Sequence, residues 1–156
     1  MELDTIRRVL EALERRGVSY AVVGAVALNF LGYVRATEDL DIFIAPEKEN
    51  VEALKAALTD VFHDPDIEQI SADDLLGDYP AVQYVPPSGD FHVDVLTRLG
   101  TAFSFGDLEV QRVQVGELEV SVVSPRTLYL MKKDTVRAKD RMDAEVLRSM
   151  FGVKDA

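Results

Sequence analysis

Residues 20–44 constrain this chain more than any other segment. Ala21, Val22 and Val23 are an apolar run with β-branched members, which predicts a buried strand. Gly24 ends it. Between Ala25 and Gly32 stand Val26, Leu28, Phe30 and Leu31, too apolar for a loop and closed by a glycine, so a short helix is predicted. Asp39-Leu40-Asp41-Ile42-Phe43-Ile44 then resumes the two-residue alternation of a strand. Asp39 and Asp41 share one face of it, while Leu40, Ile42 and Ile44 share the other and enter a core. Two carboxylates side by side on a rigid strand repel each other unless a cation lies between them. Hard oxygen donors of this kind suit Mg²⁺ or Mn²⁺. An acidic edge strand kept for solubility is the plainer alternative. The context favours the cation: apolar strand, glycine turn, helix, Arg35-x-Thr37, then the acidic pair opening an apolar-faced strand.

With 156 residues, 47% of them hydrophobic, the chain can bury a full core, and one domain is expected. Its core would span residues 1–123, with C-terminal helices over 124–150. The net charge of −11 repels a phosphate backbone, which argues against broad nucleic-acid binding without a local basic patch. A nucleotide screened by Mg²⁺ stays compatible. The absence of cysteine excludes disulfides, zinc–thiolate sites and a thiol nucleophile. The N-terminal segment lacks the apolar stretch of a signal peptide, and no apolar run approaches the roughly 20 residues that span a bilayer. A soluble, cytoplasmic protein that engages no membrane is expected.

Ile6, Val9, Leu10 and Leu13 predict a first helix, capped by Asp4 and ended by Gly17. After the acidic strand, Pro46 is expected at the first position of a third helix carrying Val51, Leu54, Leu58 and Val61. The acidic stretch from His63 to Gly77 reads as a solvated connector, with Ser71 and Asp74 able to open one helical turn and His63 at the surface. Ala81–Val85 and Phe91–Leu96 predict a hairpin about a Pro86–Asp90 turn, and residues 108–115 and 118–123 predict a second hairpin about Gly116-Glu117. Ser124-Pro125 caps a helix running towards Arg137, and Val146, Leu147 and Met150 mark the last one. The order of elements gives an α/β (α+β) fold, a mixed sheet with flanking helices.

Asp94 is the third residue that stands out. Phe91, Val93 and Val95 share one strand face, leaving Asp94 on the other with His92 and Leu96. An aspartate between two valines of a central strand is costly to bury unpaired. It either caps a frayed end or faces a cation, and a third carboxylate would complete the set begun by Asp39 and Asp41. His92, two residues away, is expected to be an ordinary packed or surface histidine, though placed to tune such a site. The segment from Lys132 to Asp143 is the most basic of the chain. It reads either as an ion-paired helix face or as cations reaching a polyphosphate, with Asp140 and Asp143 orienting Arg137 or Lys139 or capping the last helix.

Gly24-Ala25, Asp39-x-Asp41 and Asp94, in this order and spacing, resemble the nucleotidyltransferase superfamily, the polymerase-β-like group. The run Gly32-x-x-Arg35-x-Thr37-x-Asp39-x-Asp41 and the later Lys132…Arg137-x-Lys139-Asp140-x-x-Asp143 are similar to its AbiEii-like, toxin-related branch. The resemblance covers nearly the whole chain. Ala25 departs from it, since the family usually carries glycine or serine there, so a serine hydroxyl contact to the phosphates is missing. The resemblance implies a nucleotidyltransferase fold and transfer of a nucleoside monophosphate from an NTP to a hydroxyl acceptor, with release of pyrophosphate. It implies two Mg²⁺ or Mn²⁺ ions with bound NTP, held by Asp39, Asp41 and Asp94, with Asp94 also able to act as general base. It further implies nucleotide binding by Gly24 and Ala25 through backbone donors, by Lys132 through charge, and by Arg35, Thr37 and Lys139. Acceptors in such relatives are small molecules, RNA 3′ ends or proteins, and the acidic surface favours a cationic small molecule or a protein. The competing reading is a non-catalytic nucleotide- or partner-binding module on the same fold, such as a toxin–antitoxin component. A metal-dependent phosphohydrolase is less favoured, because it would normally draw on more histidine ligands.

Overall fold

Alternating apolar residues build a mixed sheet whose central strands carry the acidic residues. The structure, a computed structural model, describes residues 3–33, 39–89, 91–99, 103–133 and 138–153. Among these residues the strands β1 (Tyr20–Val23), β2 (Asp39–Ile44), β3 (Ala81–Tyr84), β4 (His92–Leu96), β7 (Val110–Val115) and β8 (Leu118–Val123) form one sheet in the order β3-β4-β2-β1-β8-β7. β5 (Arg98–Leu99) and β6 (Phe103–Ser104) form a separate small ladder that the sequence pattern did not announce. β1 runs antiparallel to β2 and parallel to β8, while β2 and β4 run parallel. Both predicted hairpins are present, β3 with β4 and β7 with β8.

The helices are α1 (Leu3–Arg15), α2 (Gly24–Phe30), α3 (Lys48–Phe62), α4 (Ala72–Leu76), α5 (Pro125–Lys132) and α6 (Ala138–Phe151). α1 buries Ile6, Val9, Leu10, Ala12 and Leu13, the stripe its spacing requires. It packs on α3, whose Val51, Leu54, Leu58 and Val61 are buried. α2 lies over β1 and β2, and α5 pairs with α6. No helix among the described residues is long and apolar enough to cross a membrane.

Four expectations need correction. α3 begins at Lys48 rather than Pro46. The buried Asn50 donates through Nδ2 to the carbonyls of Ser19 and Ala45 and accepts at Oδ1 from the Ser19 amide, which pins the chain before the helix in an extended form. The stretch from His63 to Gly77 is solvated only in part: Asp66, Glu68, Asp73 and Asp74 are exposed as expected, but some of its apolar residues and Asp64 are packed. Ile67, Ile70 and Leu75 enter the core, and Asp64 accepts hydrogen bonds from the Tyr84 hydroxyl at 2.8 Å and the Asp66 amide at 3.0 Å. Asp4 lies inside the first turn of α1 rather than before it. On α6 the inward side is Asp143, Ala144 and Leu147, while Met150 is exposed. Ser71 and Ser124 do cap α4 and α5, accepting from the Asp74 and Thr127 amides.

Candidate active site

The parallel register of β2 and β4 sets Asp39 beside His92 and Asp41 beside Asp94. Directly paired residues of neighbouring strands project to the same face, so four polar side chains share one patch at the centre of the sheet. Their neighbours Leu40, Ile42, Val93 and Val95 are fully buried on the opposite side. The alternation seen in the sequence thus divides a core face from a polar face on both strands.

Gly24 makes the approach of Asp41 possible. It lies in the left-handed region at φ +71°, and a Cβ built on it would overlap the Asp41 Oδ2 atom. Only glycine satisfies both the backbone conformation and the space. Asp41 is the most constrained carboxyl of the patch. Its Oδ1 is buried and has no hydrogen-bond partner among the described residues. Burial, a hydrogen bond that its protonated form donates to Asp94, and the charges of Asp94 and Asp39 push its carboxyl up to about 7, against a weaker opposing pull from Lys132. An orphaned buried carboxylate oxygen next to two further carboxylates is the environment a divalent cation relieves. The donor set of this patch therefore fits the cation that the sequence led us to expect.

His92 is where the structure departs from expectation. Its Nε2 contacts Asp39 Oδ1 and stands 3.7 Å from Asp94 Oδ2. Asp39, His92 and Asp94 each offer a ligand atom, and these lie within 4.8 Å of one another. The two-residue step from Asp94 and the cross-strand pairing with Asp39 were the signals for it, and only the first is visible without the register.

Lys132 takes the ion-paired form of the two readings given for its segment. It is buried at the end of α5, its Nζ 2.9 Å from Asp143 Oδ2 and 3.2 Å from Asp140 Oδ1. Asp140 and Asp143 thus hold Lys132, while Arg137 lies outside the described residues. The ammonium still acts on the patch electrostatically, since it opposes the rise at Asp41. Ala25 follows Gly24 in the first turn of α2. Arg35 and Thr37, and the side chain of Lys139, lie outside the described residues.

A family model, the nucleotidyl transferase AbiEii toxin of type IV toxin–antitoxin systems, matches residues 8–152. The chain belongs to the AbiEii nucleotidyltransferase family. Solved structures extend the likeness to the fold. The crystal structure of ANT(2″)-Ia in complex with adenylyl-2″-tobramycin aligns with a TM-score of 0.58 at 13% identity, covering 94% of this chain and 87% of that one. The solution structure of the same antibiotic-resistance factor gives 0.57 at 15% identity, over 94% and 82%. A Thermotoga maritima protein assigned to the nucleotidyltransferases gives 0.54 at 15% identity, over 96% and 92%. At these identities the likeness is one of fold, and it makes this AbiEii-family chain a nucleotidyltransferase-fold protein. No curated protein matches the sequence.

Proposed function

We propose that this AbiEii-family protein transfers a nucleoside monophosphate from an NTP to an acceptor hydroxyl. The observation that carries the reading is the in-register meeting of Asp41 with Asp94 beneath Gly24, with Asp39 beside them. In this reading Asp39, Asp41 and Asp94 hold Mg²⁺ or Mn²⁺. A divalent pair there would supply Lewis-acid stabilisation of the attacking and leaving oxygens of an in-line displacement. Gly24 and Ala25 offer backbone N–H groups to the β- and γ-phosphates, the alanine having no hydroxyl to add. Arg35, Thr37 and Lys139 are the remaining nucleotide-binding candidates. Lys132 contributes its positive charge from a fixed position, because Asp140 and Asp143 restrain it. Asp94 takes the acceptor proton as the acceptor oxygen bonds to the α-phosphorus and the bond from that phosphorus to the pyrophosphate oxygen breaks. Positioning and electrostatics account for most of the rate in chemistry of this class.

The acceptor is best sought among cationic compounds. A net charge of −11 disfavours an RNA end, and the structure of ANT(2″)-Ia, similar in fold, holds adenylyl-2″-tobramycin. The family's toxin–antitoxin description adds an antitoxin as the protein partner to test.

The test is a thermal shift with each of the four NTPs, in Mg²⁺, in Mn²⁺ and in EDTA, on wild type and Asp41→Ala, followed by pyrophosphate release across acceptor panels. A ligand that binds the folded state must raise its stability. The expected result is a metal-dependent rise with at least one NTP that Asp41→Ala abolishes. A folded protein with no shift from any NTP at millimolar concentration would sink the transferase reading and leave the partner-binding module.

A further inference from the structure

The carboxylates of this patch do not stand alone, because His92 completes a square with them across β2 and β4. We propose that His92 is a nitrogen ligand of the bound cation, so that the site selects Mn²⁺ or a later transition metal over Mg²⁺. The proposal rests on the transferase reading above and specifies its metal.

Three observations carry it. First, the position is built by the sheet: β4 presents His92 and Asp94 on one face, and the register with β2 sets His92 directly beside Asp39 and Asp94 beside Asp41. Second, the reach is right. Donors about 2.1 Å from a common ion stand at most about 4.2 Å apart. The atoms of Asp39, His92 and Asp94 lie within 4.8 Å of one another, close to that limit. Third, the side chains of His92, Asp39 and Asp94 are 27%, 40% and 31% exposed, so an ion can enter, whereas the Asp41 Oδ1 beside them is buried with no hydrogen-bond partner among the described residues.

The donor chemistry then fixes the preference. Mg²⁺ demands oxygen ligands in near-ideal octahedral geometry, whereas imidazole suits the transition metals and raises affinity along the series from Mn²⁺ upward. A patch of carboxylates alone would hold either ion. One imidazole among them tilts the balance. A histidine that only orients Asp39 would act on every cation alike.

The experiment loads the full-length protein with Mn²⁺ and reads the ion by electron spin echo envelope modulation, with parallel titrations of Mn²⁺ and Mg²⁺. The expected result is a ¹⁴N coupling of directly bound imidazole in the wild type that vanishes in His92→Ala. The ratio of Mg²⁺ to Mn²⁺ dissociation constants should fall about tenfold in that variant. His92→Asp keeps a ligand without nitrogen and should bind Mg²⁺ while showing no ¹⁴N signal. Mn²⁺ bound without nitrogen coupling overturns the ligand role, as does an equal loss of both ions in His92→Ala, and either leaves the carboxylate site intact. Wild-type protein that binds neither ion overturns this proposal and the transferase reading together.

Discussion

Asp41 is tied to its surroundings by contacts that a single substitution can expose. An unfolded aspartate ionises near pH 4, while this carboxyl holds its proton up to about 7. Between those values the folded state carries the extra proton, so in EDTA this group makes stability fall as pH rises from about 4 to about 7 and then level off. Urea unfolding at pH 5.5 and pH 8 should show that fall in wild type and a smaller one in Asp41→Asn. Added Mn²⁺ should reverse the trend, because the cation displaces the proton and binds better at the higher pH. Gly24→Ala tests the same contact from the other side. The left-handed backbone alone costs about 1–2 kcal/mol for alanine, and the overlap with Asp41 adds to it. In an Asp41→Ala background the overlap term should disappear, so a double-mutant cycle should show coupling between the two positions.

At the scale of the elements, the helix pair α5–α6 is held partly by a buried ammonium. Lys132 has two carboxylate partners on α6, and removing the nearer one, by Asp143→Ala, should cost about 3 kcal/mol in urea unfolding. α3 ends at His63, which adopts φ 51°. His63→Gly should therefore stabilise the protein by about 0.5–1 kcal/mol without touching the acidic patch, a gain readable in the same assay. These elements also show what the sequence made legible. Strands with alternating valines, both hairpins and the caps at Ser71 and Ser124 follow from local rules, because their energetics are local. The late start of α3 does not, since it depends on Asn50 reaching back to Ser19, thirty-one positions away. The packing of Ile67 and Asp64 under β3 is likewise a tertiary decision that an acidic composition conceals. Asp39, Asp41 and Asp94 were readable as polar residues on apolar strands. The pairing of His92 with Asp39, and the capture of Lys132 by Asp140 and Asp143, depend on register and on helix packing, which no spacing encodes.

For the molecule as a whole, the charge of −11 sets the terms of association. Duplex DNA should show no gel shift at an ionic strength of about 0.15 M, where weak patches of positive charge are screened within about 8 Å. The sheet order has a further bearing on how the fold survives. β2 and β4 come from well-separated parts of the chain, joined through α3, α4, the exposed link at Gly77-Asp78 and β3. A cation shared by Asp41 and Asp94 would be a cross-link across that loop, closed by chelation to the ion and opened by EDTA. A protease cut at Asp78 should then leave two fragments that stay together while Mn²⁺ is present and part when it is withdrawn, making the ion a removable staple that decides how long the protein lasts.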